Sequence, residues 1–130
     1  MTLQVELVSP ERVLFSGEAK SVFARTVGGG DIAFLTGHTP FIGALDVDQV
    51  VIRLVDGSDE VAAVHGGFVS VHDDKVKILS DLAELRDQID VERARRAAER
   101  AEAVTRAGDD VEAEAALRRA QARLKAVGGA

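Results

Sequence analysis

Several residue types are rare or missing from the sequence: its 130 residues include no cysteine, no tryptophan and no tyrosine, and only two prolines. Without cysteine the chain can form neither a disulfide framework nor a thiolate site. No run approaches the ~18 consecutive apolar residues that a membrane-spanning helix needs. The first residues lack the basic start and apolar stretch of a signal or transit peptide. We therefore expect a protein that faces the cytosol, does not insert into a membrane, and builds its core from Val, Ile, Leu and Ala.

Charge is unevenly distributed along the chain, whose formal net charge is −6. Residues 1–81 contain 6 Lys and Arg against 12 Asp and Glu, whereas residues 82–130 contain 10 of each kind. The acidic excess therefore lies in the first part, and it disfavours nucleic acid, which binds to basic surfaces. The second part is neutral but dense in charge, so its arginines leave a local anion site open.

The first part has the pattern of short β-strands. Leu3, Val5 and Leu7 alternate with polar residues, which is typical of a strand with one buried face. Glycine-rich turns separate further apolar segments at short intervals. The expected strands cover residues 3–7, 12–16, 20–27, 31–36, 41–45, 47–55, 60–65, 68–72 and 75–80. Strands this short and this closely spaced predict an antiparallel sandwich or flattened barrel, because parallel neighbours need longer crossovers.

The composition changes at Leu82, after which the chain has no Phe, Pro or His and is rich in Ala, Arg and Glu. Apolar residues now recur at helical spacing, in one stripe over residues 91–105 and another over residues 113–127. Two helices of ~17 residues joined by a short turn must form an antiparallel hairpin. Because a buried alanine methyl contributes only ~0.8 kcal/mol, we expect the hairpin to form readily but to dock loosely.

The expected helix ends carry recognisable capping residues. Asp90 is placed to cap the first helix, where its carboxylate can accept from unpaired backbone N–H groups. Gly108 suits the left-handed conformation that ends many helices. Asp109, followed three residues later by Glu112, resembles a capping box that starts the second helix.

Arginines lie along both predicted helices. Arg93 and Arg100 are almost eclipsed on the first helix, toward the side of Asp90, while Arg119 and Arg123 flank the apolar stripe of the second. Two interpretations stay open. The guanidinium groups could edge the closed hairpin and bind phosphate, or they could lie over the alanine seam and pair with nearby glutamates. The glutamates in question are Glu92, Glu99 and Glu114.

No catalytic or metal-binding pattern is visible. His65 and His72 are not accompanied by a compact cluster of ligands at metal-binding spacing. Ser70 and Ser80 have no base and orienting group near them in the sequence. The glycines at 28–30 precede a strand, whereas a phosphate-binding loop precedes a helix. We therefore expect no enzymatic activity, no metal and no required cofactor.

Five segments together resemble the epsilon-subunit family of bacterial rotary (F-type) ATP synthases. They are residues 5–11, 14–17, 30–40, 66–68 and 89–94. The most specific is the Gly-His-x-Pro loop that follows an acidic and apolar strand within 30–40. The similarity extends over essentially the whole chain.

This resemblance implies an α+β protein with two domains. Residues 1–85 would form a ten-stranded antiparallel β-sandwich that contacts the gamma subunit and the membrane rotor c-ring. Residues 86–130 would form an antiparallel two-helix hairpin with a regulatory role. The sequence departs from the usual family pattern at Ala33, where Gly is common, and at Thr36, where Pro is common.

The function that the resemblance implies is that of a non-catalytic central-stalk subunit of a proton-translocating ATP synthase. It would couple the rotor to the catalytic head and inhibit ATP hydrolysis through a mobile hairpin. Its partners would be gamma, the c-ring and, when the hairpin extends, the catalytic alpha and beta subunits. It would lie peripherally at the bacterial cell membrane, on the cytoplasmic side, without inserting into the bilayer or binding nucleic acid.

In some members of this family the hairpin binds ATP as a regulatory ligand through an Ile/Leu-Asp-x-x-Arg-Ala motif. Ile89, Asp90, Arg93 and Ala94 match this motif. The acidic residue that accompanies the motif in those members corresponds to Glu84, and the further arginines correspond to Arg100, Arg119 and Arg123, so every position of the pattern is filled. The alternatives are a free-standing ATP-sensing module and a helical-hairpin chaperone or scaffold. Co-purification separates them, because only the stalk subunit predicts a gamma-like coiled-coil partner.

Overall fold

A computed structural model of the chain describes residues 1–128, and its elements follow the expected change from sheet to helix. The strands are β1 (Leu3–Val8), β2 (Val13–Thr26), β3 (Gly30–Leu35), β4 (Phe41–Leu54), β5 (Asp59–His72), β6 (Lys75–Leu79) and β7 (Ala83–Leu85). One turn of 3-10 helix (Arg86–Gln88) leads to the helices α1 (Val91–Ala107) and α2 (Val111–Ala126).

The strands form one barrel-like sheet that closes on itself. Their order is β1-β6-β5-β4-β2, and β1 also pairs with β2, which completes the ring. β3 adds to β2, and β7 adds to β5. Alternate residues point inward, so that Leu3, Val5 and Leu7 are fully buried together with Phe34. This inner cluster is the main hydrophobic core, because it collects the apolar faces of all seven strands.

Residues 1–128 contain seven strands and not the ten that we expected. β2, β4 and β5 each contain 14 residues and continue through places where the sequence suggested a turn or a break, at Gly17, Asp46 and Gly66. Glycine and a local bulge allow a strand to bend between two sheet faces without ending. β7 was not predicted from the residue pattern, because three residues are too few to establish an alternation.

The expectation of a wholly antiparallel sheet is also wrong for one pair. β1 and β6 run parallel, with Gln4 opposite Lys75 and Val8 opposite Leu79. Short connections exclude parallel pairing only between strands that follow one another in the sequence. In the sequence, β1 and β6 are separated by the four strands β2 to β5, and they become neighbours because the ring closes.

The helix ends agree with the predicted caps at one position and differ at two. The carboxylate of Asp90 accepts from the Arg93 backbone N–H at 3.0 Å and caps α1, as predicted. The second cap is Asp110, which accepts from Ala113 N–H at 2.9 Å, so the prediction of Asp109 was one residue early. Gly108 is nearly fully extended, with φ 158° and ψ −178°, and not left-handed.

The hairpin packs on the sheet through its second helix. α2 contacts β4 and β5, and α1 packs mainly on α2. A small cluster of Val61, Ala63, Ile89, Ala122 and Ala126 fills the contact between α2 and the sheet. The seam between the helices is built from alanines, as expected, and buries Ala94, Ala101 and Ala120. None of the helices within residues 1–128 has the length and apolar character required to cross a membrane.

Candidate functional site

A pocket of about 360 Å³ lies between β7, the start of α1 and the last turns of α2. Its lining residues are Glu84, Gln88, Asp90, Arg93, Ala94, Ala97, Arg100 and Arg123. Six of the eight residues in the predicted nucleotide pattern are therefore brought together, although they come from three elements. The volume lies at the lower end of the ~300–1,000 Å³ typical of small-molecule sites.

The first helix supplies most of the lining because helical spacing places residues three, four and seven apart on one face. Arg93 and Arg100 lie on the same side of α1, and Ala94 and Ala97 between them keep that surface shallow. Asp90, which also lines the pocket, is held in place because it accepts from the Arg93 backbone N–H. The α1 side of the pocket thus combines two guanidinium groups with two small side chains.

Neither Arg93 nor Arg100 forms an ion pair with a carboxylate within the part of the chain that the structure describes. Glu92, one of the expected partners, pairs with Arg95 instead, on the next turn of α1. Both arginines are exposed, so each can offer its donors to an anion that enters the pocket. Arginine favours planar, bidentate contacts with carboxylate or phosphate.

Arg123 is already engaged in the pocket. Its Nε donates to Glu84 Oε1 at 2.6 Å, and the two side chains are 25% and 27% exposed. The same carboxylate oxygen lies 3.3 Å from His65 Nε2. Glu84 thus joins a strand residue and a helix residue, and together with Asp90 it adds negative charge to a pocket that three arginines also line.

His65 has a perturbed acid–base equilibrium at this junction. Burial of the ring lowers the pKa of His65 below its ordinary value of 6.5, and the charge of Arg123 lowers it further. The hydrogen bond and the negative charge of Glu84 act in the opposite direction without overcoming the burial. The burial and the neighbouring Arg123 therefore favour the neutral form of His65 in this arrangement.

Two residues of the predicted pattern lie outside the pocket. Ile89 is 8% exposed and packs in the cluster between α2 and the sheet, so it anchors the hairpin. Arg119 donates from Nη2 to Glu112 Oε1 at 2.9 Å, two turns back along α2. A linear motif cannot separate the residues that face a pocket from those that hold its walls in place.

Two residues that line the pocket, Gln88 and Ala97, were not predicted from the sequence. His65, which lies behind Glu84, was considered there only as a metal ligand. Gln88 also accepts from the Leu85 backbone N–H at 3.1 Å through its side-chain oxygen. For His65 a signal existed, because it alternates with Val61 and Ala63 on one face of a strand. Residues 1–128 contain no group of three or more His, Asp or Glu side chains that could hold a metal ion.

A second candidate site is an apolar row on the outside of the sheet. Strand register aligns Val13 with Val8, Val8 with Leu79, Leu79 with Phe68, and Phe68 with Ala44. Val13, Phe68 and Leu79 are 54%, 59% and 48% exposed. A cavity of about 450 Å³ adjoins the row and includes Pro10. Contiguous apolar surface of this kind is typical of a protein interface.

Comparison with known proteins identifies relatives over almost the whole chain. Residues 2–86 match the family described as ATP synthase, Delta/Epsilon chain, beta-sandwich domain. The ATP synthase epsilon chain of Streptomyces griseus is 50% identical over 125 residues, covering 96% of this chain and 94% of that protein. The ATP synthase epsilon chain of Moorella thermoacetica is 47% identical over 131 residues, covering 98% and 97%.

Solved structures share the fold at lower identity. A chain in the cryo-EM structure of the Euglena gracilis mitochondrial ATP synthase superposes with a TM-score of 0.83 at 23% identity, covering 96% of this chain and 80% of that chain. A chain in the central stalk and c-ring of the Tetrahymena thermophila mitochondrial ATP synthase gives a TM-score of 0.57 at 18% identity, covering 68% and 69%. The first match includes both the sheet and the helices.

Proposed function

The chain belongs to the epsilon-chain family of ATP synthases, and from that premise we propose that it restrains ATP hydrolysis through a helical hairpin that leaves the sheet. As a member of this family it is a non-catalytic subunit of the central stalk. The proposal adds that the docked hairpin observed here is one of two positions. In the other, the helices extend toward the catalytic alpha and beta subunits.

The observation that carries this proposal is the small contact between the hairpin and the sheet. α2 is held mainly by the alanines Ala122 and Ala126, with Ile89 beside them, and by ion pairs such as Lys125 with Asp48 at 3.0 Å. A buried alanine contributes about a third to a half of the free energy of a buried leucine, and partly exposed ion pairs contribute about 1 kcal/mol or less. Such a contact can open without unfolding the sheet.

Charge on the hairpin supports a contact with another protein. Arg93, Arg96, Arg100 and Arg118 are exposed and have no carboxylate partner among the described residues. In the docked state none of these groups is paired with a carboxylate of the described residues, whereas at a protein surface they can form such pairs. We propose that the catalytic subunits supply those carboxylates when the hairpin extends.

The outer apolar row is the proposed docking surface for gamma. A stalk subunit must remain bound while its hairpin moves, so its permanent interface belongs on the sheet and not on the helices. Phe68 and Leu79 are the large exposed side chains at the centre of the row, where anchor residues of interfaces are usually found. Contacts of the sheet with the rotor c-ring would then hold the protein peripherally at the cell membrane, on its cytoplasmic side.

The pocket beside β7 is the proposed site for a regulatory ATP molecule. Arg93 and Arg100 come from α1 and Arg123 from α2, so a triphosphate that contacts all three joins the two helices and holds the hairpin docked. A ligand that binds only the docked form stabilises it by mass action. ATP would act here as a regulator and not as a required cofactor.

The test is a deletion in the assembled ATP synthase. Removing residues 88–130 should raise the rate of ATP hydrolysis while the complex still contains gamma and this subunit. Replacing Phe68 by Glu in the full-length chain should instead prevent association with gamma. Unchanged hydrolysis after the deletion would contradict an inhibitory hairpin. Purification without any gamma-like partner would favour the alternative, a free-standing ATP sensor.

A further inference from the structure

His65 lies on the strand face that the hairpin covers. Val61, Ala63 and His65 alternate along β5, and alternate residues of a strand point to the same side. Val61 and Ala63 pack against Ala122 and Ala126 of α2. The His65 side chain is only 3% exposed. A titratable ring therefore ends an otherwise apolar stripe beneath α2.

The surroundings of His65 favour its neutral form over its charged form. Nε2 lies 3.3 Å from Glu84 Oε1, so the neutral ring carries its proton on Nε2 and donates it to the carboxylate. Nδ1 is buried and has no hydrogen-bond partner among the described residues. A second proton would have to sit on Nδ1, where it would be a buried donor without an acceptor.

The charges around His65 come from two neighbouring elements. β7 contributes Glu84, and α2 contributes Arg123 and Arg119, both of which disfavour a positive ring. Glu84 compensates only in part, because its oxygen already accepts from Arg123 at 2.6 Å. The residue opposite on β4 is the apolar Val47. Asp81, in the connection before β7, is exposed and borders the same cavity as His65.

We propose that His65 makes the docking of the hairpin sensitive to pH, so that protonation of its imidazole weakens the attachment of α2 to the sheet and releases the helices. When α2 leaves, Arg119 and Arg123 leave with it and the ring gains access to water. The charged form then loses its unfavourable neighbours and can donate both protons to solvent.

The direction of the effect follows from the two protonation equilibria. The pKa of His65 is depressed while α2 is docked and returns toward its ordinary value of 6.5 on release. Above that value the ring is neutral in both states, and docking has its full strength. As pH falls below 6.5 the released state binds the proton more readily, so docking weakens until the pH passes the docked pKa. For one proton the docking constant changes at most about tenfold per pH unit.

The inference rests on the proposed mobility of the hairpin but not on ATP binding or inhibition, so it is tested on the isolated full-length protein. Because the chain lacks cysteine, spin labels can be attached at two introduced cysteines, Lys20→Cys on the sheet and Ala103→Cys on α1. Pulsed electron paramagnetic resonance then measures the distribution of distances between the label on the sheet and the label on the hairpin. Between about pH 8 and about pH 5.5, the ratio of docked to released protein should decrease severalfold.

Two variants assign the effect to one ring. His65→Gln can still donate to Glu84 but does not titrate, so its docked population should not change with pH. His72→Gln removes a histidine whose side chain is 70% exposed and should retain the pH response of the parent. A constant distance distribution in the parent protein, or the same pH response in His65→Gln, would overturn the inference.

Nuclear magnetic resonance of the full chain gives a second test that does not depend on the folding of His65→Gln. The His65 ring should titrate below the ordinary value of 6.5, and Arg123→Gln should raise the His65 pKa by removing the positive charge next to it. A His65 pKa at or above 6.5 would overturn the inference. The proposed inhibitory role fails separately, if deletion of residues 88–130 leaves ATP hydrolysis unchanged.

Discussion

Arg123 donates from Nε to Oε1 of Glu84 over 2.6 Å, and this contact joins α2 to β7 across 39 positions of sequence. Both side chains are about a quarter exposed, so the pair is neither a freely solvated surface bridge nor a fully buried one. It also occupies two of the groups in the proposed nucleotide pocket. A phosphate that binds Arg123 must therefore compete with Glu84, and the carboxylate opposes anion binding until that exchange occurs.

Replacing Glu84 by Gln should weaken the docking of the hairpin by about 1 kcal/mol, between the values for exposed ion pairs and for buried charged hydrogen bonds. Hydrogen exchange of the α2 amides at neutral pH measures this as faster opening. Glu112→Gln is the matched control, because Glu112 pairs with Arg119 but its side chain is 81% exposed. Equal exchange in the two variants would mean that the Glu84 pair does not hold the hairpin.

The sequence was sufficient for the parts of the fold that depend on local pattern. Alternation predicted the buried face of β1, and Asp90 was correctly predicted as the cap of α1 because capping involves neighbours in sequence. The continuity of β2, β4 and β5 could not be predicted in this way. Gly17 and Gly66 are compatible with both a bend and a turn, and only pairing with neighbouring strands decides between them.

Prediction of the pocket was limited for a related reason. Residues on one helix, such as Arg93 and Arg100, have a relative position that helical geometry determines. The approach of Arg123 to Glu84 depends on how α2 lies on the sheet, which no local pattern encodes. Ile89 illustrates the same limit, because an apolar residue beside a cap can face either a ligand or the core.

Ile89→Ala should selectively destabilise the contact between hairpin and sheet. Ile89 is 8% exposed among alanines and valines, and truncation of a buried Ile typically costs ~2–5 kcal/mol. We expect the lower end, because small neighbours can close part of the cavity. The helices should become protease-sensitive while the sheet keeps its melting temperature. Val104→Ala, at a position on α1 that is 45% exposed, should leave both unchanged.

Gly67→Ala should destabilise the sheet itself. A Cβ at Gly67 would lie 2.1 Å from the backbone oxygen of Leu79, and φ is 121°. The overlap is with backbone of the neighbouring strand and cannot be relieved by a side-chain rotation, so we expect a loss of about 3 kcal/mol or more. Gly28→Ala is the control, since φ is 78° but no atom lies within 4 Å. Thermal unfolding should separate the two variants clearly, and similar melting temperatures would contradict the packing argument.

A fragment of residues 1–85 should fold without the hairpin. The main core cluster extends from Leu3 to Ala83, with Leu85 packed against it, so all of it is retained. The cost is exposure of Val61 and Ala63, which α2 covers in the full chain. Circular dichroism should show a sheet spectrum and a cooperative melting transition. An unfolded spectrum would mean that the sheet depends on the hairpin for its stability.

Arg93→Ala tests the proposed nucleotide site most directly. Arg93 borders the pocket without a carboxylate partner in the described part of the chain, so its donors are available to a phosphate group. Loss of one charged hydrogen bond costs ~1.5–3 kcal/mol, which corresponds to an affinity for ATP about ten- to hundredfold weaker. Isothermal titration calorimetry of the isolated protein with ATP measures the change.

Two comparisons make that titration decisive. Arg106→Ala is the matched control, because it removes the same charge from α1 at a position outside the pocket. Arg106 is 76% exposed and pairs with Glu102, so this variant should bind ATP as tightly as the parent protein does. Asp90→Asn keeps a good helix cap, and a large loss of affinity there would therefore indicate direct contact with the ligand.

If the parent gives neither heat nor a thermal shift at about millimolar ATP, corresponding to less than about 4 kcal/mol of binding free energy, the pocket is not a nucleotide site. Arg93 and Arg100 would then be exposed groups that only an extended hairpin brings into contact with a partner.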